Sequence, residues 1–151
     1  MIIELTYLLR IGVAVLLSSL IGMEREHNDK PYGFRTIILI TLGATLITIF
    51  SLRYVEVTKE IGVKFDAIRA MAYYLMAVGF GTSLIKRTGK GKFEGATTMA
   101  TILPLCSVGF FCGIGDYFLA IVSSLIIYSV LKFKYVKIKI KRKRRKKRGH
   151  K

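Results

Sequence analysis

Apolar residues form long, almost uninterrupted segments along the first 131 residues of the chain. Between charged residues, these segments run over 11–23, 36–52, 70–85, 95–115 and 117–131. A helix that crosses a bilayer needs about 20 mostly apolar residues, and flanking basic residues whose charged ends reach the surface extend each segment toward that length. A soluble domain of 151 residues has too little polar sequence to cover five such segments. The pattern therefore predicts an all-α, polytopic membrane helix bundle.

Five transmembrane helices are predicted, over 5–23, 36–52, 68–85, 96–113 and 116–132. The stretch 95–131 contains one charged residue, Asp116, and at about 1.5 Å per residue it is too long for a single crossing. The sequence "GIGD" suits a reversal within it, because glycine permits a sharp turn and aspartate caps the next helix. The first segment lacks the basic start of a cleavable signal peptide, so we expect it to be a retained span.

Positive charge is concentrated in the last twenty residues, which separates a transmembrane domain at 1–131 from a polybasic tail at 132–151. The tail has thirteen Lys and Arg and no acid, although the net charge of the whole chain is only +16. Basic residues in short loops mark the cytoplasmic side of a membrane protein. With five spans, the loops at 24–35 and 86–94 lie on the same side as the tail, and they contain three and four basic residues. The opposite side contains only the three basic residues of the loop at 53–66. We expect a plasma-membrane protein with its N-terminus outside and its tail in the cytoplasm.

The tail itself has two parts. "KFKYVKIKIK" alternates basic and apolar residues, which fits a strand or an interfacial segment. The run 141–148 is unbroken charge, which is typical of disorder. Because the tail follows a membrane helix, we expect it to bind anionic lipid headgroups, with nucleic acid as the less favoured partner. The residues assigned to lipid contact are Lys141, Arg142, Lys143, Arg144 and Arg145.

Small residues at helical spacing predict where helices pack, because membrane helices associate where their backbones can approach. Gly109 and Gly113 form a GxxxG pair in the fourth helix, and Ala14, Ser18 and Gly22 recur every four residues in the first. We expect these contacts to form within one chain, although a homo-oligomer stays open. The packing glycines are Gly22, Gly43, Gly79, Gly109 and Gly113.

A charged interruption, "MEREHNDKPYGFRT", separates the first two helices. Carboxylate oxygens suit Mg²⁺, but three acidic and three basic residues cancel here, so the loop lacks the negative field of a cation site. Two interpretations remain. The loop is a solvated turn whose charges pair internally, such as Arg25 with Asp29 at i,i+4, or it holds a functional cluster of Arg25, Glu26 and Arg35.

Polar residues at the other helix ends allow a structural and a functional interpretation. Asp66 stands at the N-cap position of the third helix, and Arg69 one turn later can pair with it or share an outward-facing polar pocket. Thr97 and Thr98 begin the fourth helix, where their hydroxyls can join helices or line a cavity.

Arg10 lies deeper in the first helix. We expect its side chain to reach outward beside Glu4, as long basic side chains do near a membrane surface. The alternative is a position that faces the bundle, toward Asp66 or Asp116.

Three sequence blocks resemble the MgtC/SapB family of membrane proteins. "IGMEREHNDKPYGFRTIILITLGATL" is similar to the family's opening signature of Arg-Glu, Gly-x-Arg-Thr and an apolar helix with Gly-Ala. "FDAIRAMAYYLMAVGF" and "GATTMAT" resemble its Asp-x-x-Arg and threonine blocks, in the same order. Two departures stand out: "GFGTSL" has fewer glycines than the family pattern, and the soluble C-terminal domain of many members has no counterpart here.

The resemblance implies a link to magnesium homeostasis. Within that class we expect regulation of another membrane protein rather than direct transport, because the chain is small and its charged loop is neutral overall. The alternatives are a small cation or solute transporter that uses Asp66, Arg69 and the threonine block, and a membrane tether whose tail binds nucleic acid. We expect no enzyme activity, metal site or cofactor, since no catalytic or metal-ligand spacing is present, and Cys106 and Cys112 fit small apolar packing residues.

Overall fold

The computed structural model describes residues 2–28, 30, 32–59, 65–83 and 96–148. This part of the chain forms five helices and no strand: α1 (Ile2–His27), α2 (Phe34–Thr58), α3 (Ala67–Ser83), α4 (Ala96–Ile114) and α5 (Tyr117–Arg148). The segments Ile3–His27 and Phe34–Thr58 are long and apolar enough to cross a membrane, and shorter apolar helices run over Met99–Ile114 and Tyr117–Lys132. The predicted all-α membrane helix bundle is confirmed.

Helices α2 and α4 form the centre of the bundle. Helix α2 packs on α1, α3 and α4, whereas α5 packs on α1 and α4. Buried apolar side chains from α1, α2 and α4 make the main core, and a second cluster joins α1, α4 and α5. Cys106 and Cys112 are both buried and free, one in each cluster, as expected of packing residues.

The GxxxG pair of α4 lies directly against α2. A Cβ atom added to Gly109 would lie 2.5 Å from the Thr41 carbonyl oxygen and 2.6 Å from the Ala44 Cβ. A Cβ atom added to Gly113 would lie 2.5 Å from the Thr48 Cβ. Only glycine permits this approach of the two backbones.

The remaining packing glycines differ in how tightly they are enclosed. A Cβ on Gly22 would lie 3.0 Å from the Phe34 Cα, and one on Gly43 would overlap the ring of Tyr74. The Tyr74 hydroxyl crosses Gly43 to donate a 2.7 Å hydrogen bond to a carbonyl of α2, that of Ile40. Gly79 has more room, because an added Cβ would lie 3.8 Å from Leu103, at ordinary contact distance.

The "GIGD" reversal between α4 and α5 forms as predicted. Gly115 has a φ of +97°, which favours glycine, and its N–H bonds back to Phe111 and Cys112 of the last turn of α4. The Asp116 carboxylate then accepts a 3.1 Å hydrogen bond from the N–H of Leu119 and caps α5.

The basic tail departs from the prediction. Helix α5 continues without a break to Arg148, so residues 132–148 are helical. The predictions of a strand in the first part of the tail and of disorder over 141–148 were wrong. Lys and Arg are good helix formers, and a helix that has already begun gains one backbone hydrogen bond per added residue without a second nucleation step. The side chains of Lys141, Arg142, Lys143, Arg144 and Arg145 lie outside the described part of the structure.

Candidate functional site at the α1–α2 junction

Helix α1 continues past its apolar segment and carries Arg25 on its last turns. The Arg25 side chain is only 2 % exposed, and its Nε donates a 3.2 Å hydrogen bond to the carbonyl of Tyr32. The Arg25 carbonyl accepts the N–H of Lys30 at 3.1 Å. Arg25 is therefore buried rather than solvated, and it holds the loop from within. Asp29, its expected partner, lies outside the described residues.

The neighbouring Glu26 caps the next helix. Its Oε2 accepts a 3.0 Å hydrogen bond from the N–H of Phe34, the first residue of α2. The N-cap residue Gly33 has no side chain for this task, and the first N–H groups of a helix have no partner within it. A carboxylate at this end also interacts favourably with the helix dipole. Arg25 and Glu26 thus join α1 to α2 through two different contacts.

The third predicted member of this cluster stands apart. Arg35 is exposed and makes no ion pair with any residue in the described ranges. Between the two halves of the junction, Tyr32 has a φ of 62°, a left-handed conformation that is uncommon for a residue with a side chain. The junction is therefore a built Arg25/Glu26 connection with His27, Lys30 and Arg35 exposed around it.

At the opposite end of the bundle, Asp66 and Arg69 form the predicted structural pair. The Asp66 Oδ1 accepts the Arg69 N–H at 3.1 Å and caps α3, and the Arg69 Nε lies 3.7 Å from the Asp66 Oδ2. Both side chains are largely exposed, at 67 % for Arg69 and 53 % for Asp66. Phe65, Ala70 and Tyr73 line an open hollow with them, so the pair and the pocket occur together.

Arg10 does not reach outward as expected. Its Nη1 donates a 2.7 Å hydrogen bond to the carbonyl of Gly113, and its guanidinium packs against Gly115. The alternative that Arg10 faces the bundle is correct, but its acceptor is the last turn of α4 rather than a carboxylate. The orphan carbonyls and negative dipole end of α4 provide that acceptor.

Sequence reasoning missed a buried polar face on α2. Thr41, Thr45, Thr48 and Ser51 are all fully buried, and their spacing of three and four residues was a readable signal. The three threonine hydroxyls donate to carbonyls one turn earlier at 2.8–3.0 Å, and the Thr45 hydroxyl also lies 3.0 Å from the Gly109 carbonyl. The threonines of this face are thus satisfied by backbone carbonyls, whereas the buried Ser51 Oγ has no hydrogen-bond partner among the described residues, and the contact with α4 closes the face.

The predicted threonine site lies partly outside the described residues. Helix α4 begins at Ala96, so the backbone of Thr97 and Thr98 is helical, while their side chains lie outside the described residues. Thr101, one turn on, is buried at 5 % exposure. Within the described ranges, no three His, Cys, Asp or Glu side chains come together in a group that could hold a metal ion.

Comparison with known proteins gives several similar chains. Protein SapB of Bacillus subtilis (strain 168) is 34% identical over 83% of this chain and 55% of its own length. Putative magnesium transporter YhiD of Escherichia coli (strain K12) is 32% identical over 83% of this chain and 59% of its own. Protein MgtC of Salmonella typhimurium (strain LT2) is 30% identical over 80% of this chain and 49% of its own.

The chain therefore spans about half the length of these curated relatives. No solved structure matches it. The model of the MgtC family matches residues 11–139, which include both the Arg25/Glu26 junction and the Asp66/Arg69 pair. This chain belongs to the MgtC family.

Proposed function

We propose that this protein acts in magnesium homeostasis by regulating another membrane protein. The observation that carries the proposal is the family match over residues 11–139. Among the relatives, one is named Protein MgtC and another Putative magnesium transporter YhiD. The match includes the junction and most of each helix, so the shared part of these proteins is the helix bundle described above.

Two structural observations favour regulation over transport by a single chain. The buried polar face of α2 is closed by the glycine contacts of α4, which leaves no room for a hydrated ion between these helices. Arg25 and Glu26 are also engaged in holding the junction, with hydrogen bonds of 3.2 and 3.0 Å to the loop and to α2. Their charges serve the connection between the helices, and exposed residues lie around them.

The proposed topology places that surface in the cytoplasm. With α1 entering from outside, the junction and the basic tail both lie on the inner side of the plasma membrane, as the distribution of basic residues favours. The partner surface consists of His27, Lys30 and Arg35, which are exposed around the junction. Its partner is another membrane protein with an acidic cytoplasmic loop, or a second copy of this chain.

Growth in low magnesium tests the proposal. A bacterial host that lacks its own family member receives either the wild-type chain or the variant Arg35→Gln. We expect the variant to accumulate normally and to support growth poorly, because Arg35 belongs to the exposed partner surface. Lys59→Gln removes the same charge from an exposed residue just after α2 at its other end and is the matched control. Equal growth with both variants would count against a partner surface at the junction.

Transport is the competing function, favoured by the exposed Asp66 and Arg69 and the open hollow beside them. Proteoliposomes that contain only this protein separate the two functions. Regulation predicts no Mg²⁺ flux above that of empty vesicles and a membrane protein that copurifies with the wild-type chain. Mg²⁺ flux that is lost in Asp66→Asn would establish transport instead.

We further propose that the basic tail docks on anionic lipid headgroups rather than on nucleic acid. The helical rise of about 1.5 Å per residue puts Lys141 roughly 14 Å along the axis from Lys132, and surface attraction fades within about 8 Å at physiological salt. Contact by residues 141–145 therefore requires α5 to tilt or bend at the surface. Vesicles that contain anionic lipid should bind the full chain's tail more tightly than neutral vesicles, whereas preferential binding of RNA would favour the tether function.

A further inference from the structure

The N-terminal end of α3 carries a hollow whose chemistry the proposed function does not use. The hollow measures about 430 Å³ and is lined by Phe65, Asp66, Arg69, Ala70 and Tyr73. It is open to the surroundings, and its two charged side chains are among its lining residues. We call it the α3 hollow. Its size falls within the range of about 300–1,000 Å³ that is usual for small-molecule sites.

The charges of the α3 hollow suit a zwitterion. Among the described residues that line it, one carboxylate and one guanidinium sum to zero. A ligand with one negative and one positive group therefore matches this pair better than a net anion or cation. The two side chains hold each other only weakly, since the Arg69 Nε and the Asp66 Oδ2 are 3.7 Å apart and both groups are mostly exposed. Exposed pairs of this kind add little stability, so a ligand can replace the contact at low cost.

Aromatic rings surround the charged pair. Phe65 packs edge-on against Tyr54 at 4.9 Å between ring centroids, and Tyr73 forms another wall of the hollow with 62 % of its surface exposed. Tyrosines are enriched where a membrane meets water, and aromatic faces attract cations such as ammonium groups. This setting places the hollow at the level of lipid headgroups.

An apolar stripe continues from the hollow along α3. Ile68, Met76 and Phe80 are each at least 69 % exposed in the bundle. Among the described helices, α3 packs on α2 and α4 only, so neither α1 nor α5 covers this stripe. A charged hollow that leads into an exposed apolar stripe fits a molecule with a polar head and apolar chains.

We propose that the α3 hollow binds the zwitterionic headgroup of a membrane lipid with a primary ammonium group, such as phosphatidylethanolamine. Arg69 contacts the phosphate, since a guanidinium suits phosphate oxygens. Asp66 accepts hydrogen bonds from the ammonium group, and the acyl chains lie along the stripe of Ile68, Met76 and Phe80. The site depends only on α3 beginning at a membrane surface, so it is independent of the proposed regulatory function and of the orientation of the chain.

Lipid titration of the purified full-length chain in detergent, followed by native mass spectrometry, tests the assignment. Phosphatidylethanolamine, phosphatidylcholine and phosphatidylglycerol with identical acyl chains are compared. We expect phosphatidylethanolamine to bind better than phosphatidylcholine, because the choline group has no N–H donor. Phosphatidylglycerol also binds the basic tail, so for this lipid only the change between wild type and α3 variants is informative. Arg69→Gln should weaken binding of the ethanolamine and choline lipids alike, since both carry the phosphate.

A matched pair of aspartates makes the test specific. Asp66→Asn should lower affinity for phosphatidylethanolamine about two- to fivefold, as expected for an exposed charged contact. Asn is as good an N-cap as Asp, so α3 keeps its start. Asp116→Asn changes the other capping aspartate, whose Oδ1 also accepts an N–H at 3.1 Å, and should leave lipid binding unchanged.

The opposite results are equally clear. Binding of phosphatidylcholine by the wild-type chain as tight as that of phosphatidylethanolamine would overturn the proposal. So would equal losses in the two aspartate variants, because the effect would then not be specific to the α3 hollow. Soluble phosphoethanolamine that displaced the bound lipid at comparable concentration would assign the hollow to a soluble solute instead, whereas no displacement supports the lipid.

Discussion

Replacing Gly109 by alanine should destabilise the bundle at its centre. The added Cβ would lie 2.5 Å from the Thr41 carbonyl oxygen and 2.6 Å from the Ala44 Cβ, both on α2. Ordinary contacts begin near 3.4 Å, so the two helices must separate by about 1 Å at this point, which is the overpacking of a close-packed interior. The hydroxyl of Thr45 would also move away from the Gly109 carbonyl, which now lies 3.0 Å from it.

The magnitude follows from three contributions. Overpacking costs about 1–3 kcal/mol, and the weakened hydrogen bond costs about 1 kcal/mol. Alanine regains about 1 kcal/mol through its higher helix propensity. The free energy of unfolding should therefore fall by about 1–3 kcal/mol in Gly109→Ala, and the melting temperature by about 2–4 °C for each kcal/mol.

Circular dichroism in detergent micelles measures the melting temperature, and Gly81→Ala supplies the control. Gly81 lies in the last turn of α3, and an added Cβ there has no atom within 4 Å. This variant should be neutral or more stable by up to about 1 kcal/mol. A Gly109→Ala protein that melts with the wild type, or a Gly81→Ala protein that loses as much, would refute the close α2–α4 contact.

Three other outcomes follow from the structure. Arg10→Leu should lower the free energy of unfolding by about 1–3 kcal/mol, because the Gly113 carbonyl loses its 2.7 Å donor, and should lower the amount of protein in the membrane. Thermal unfolding measures the first effect and immunoblots measure the second. Glu26→Ala should cost about 0.5–2 kcal/mol of stability, as the Phe34 N–H loses its cap, whereas Glu26→Gln should retain most of it. A reporter fused after Lys151 should be active in the cytoplasm, and activity only outside the cell would reverse the proposed topology.

Matched controls exist for the first two of these changes. Arg53 approaches the same Tyr7 ring as Arg10, with its Cζ 5.7 Å from the ring centroid. Within the described residues, Arg53 donates no hydrogen bond to a helix-end carbonyl. Arg53→Leu should therefore be milder than Arg10→Leu. The Glu24 carboxylate accepts a hydrogen bond from the Asn28 side chain, just past the end of α1, so Glu24→Ala should leave the start of α2 intact. Equal effects in either pair would contradict the assigned contacts.

Local sequence was sufficient wherever the interaction joins near neighbours. Three features involve residues only a few positions apart: Asp66 caps at Arg69, Asp116 caps at Leu119, and Gly115 has a positive φ. Such contacts depend on residue type and spacing, so they could be predicted. The prediction for the tail was wrong because it considered only the local charge, which suggested disorder. Continuity with α5 favours helix there.

The candidate site was predicted by residue but not by role. Arg25 and Glu26 were identified from their charges and from the resemblance, yet charge counting suggested pairing within the loop. In the structure Arg25 is buried and Glu26 reaches eight residues forward to Phe34. A loop's charge pattern does not say which backbone groups it leaves without a partner, and those groups decide where the side chains bind.

The sequence by itself determined that this protein is a bundle of membrane helices, since segment length and hydropathy suffice for that conclusion. It also determined the α4–α5 reversal and the glycines at which helices can meet. Only the tertiary structure decided that Arg10 contacts a carbonyl 103 residues away and that four hydroxyl residues of α2 face the core. The physical reason is that rotation of each helix about its axis is set by packing against its neighbours, and this rotation chooses which face becomes interior.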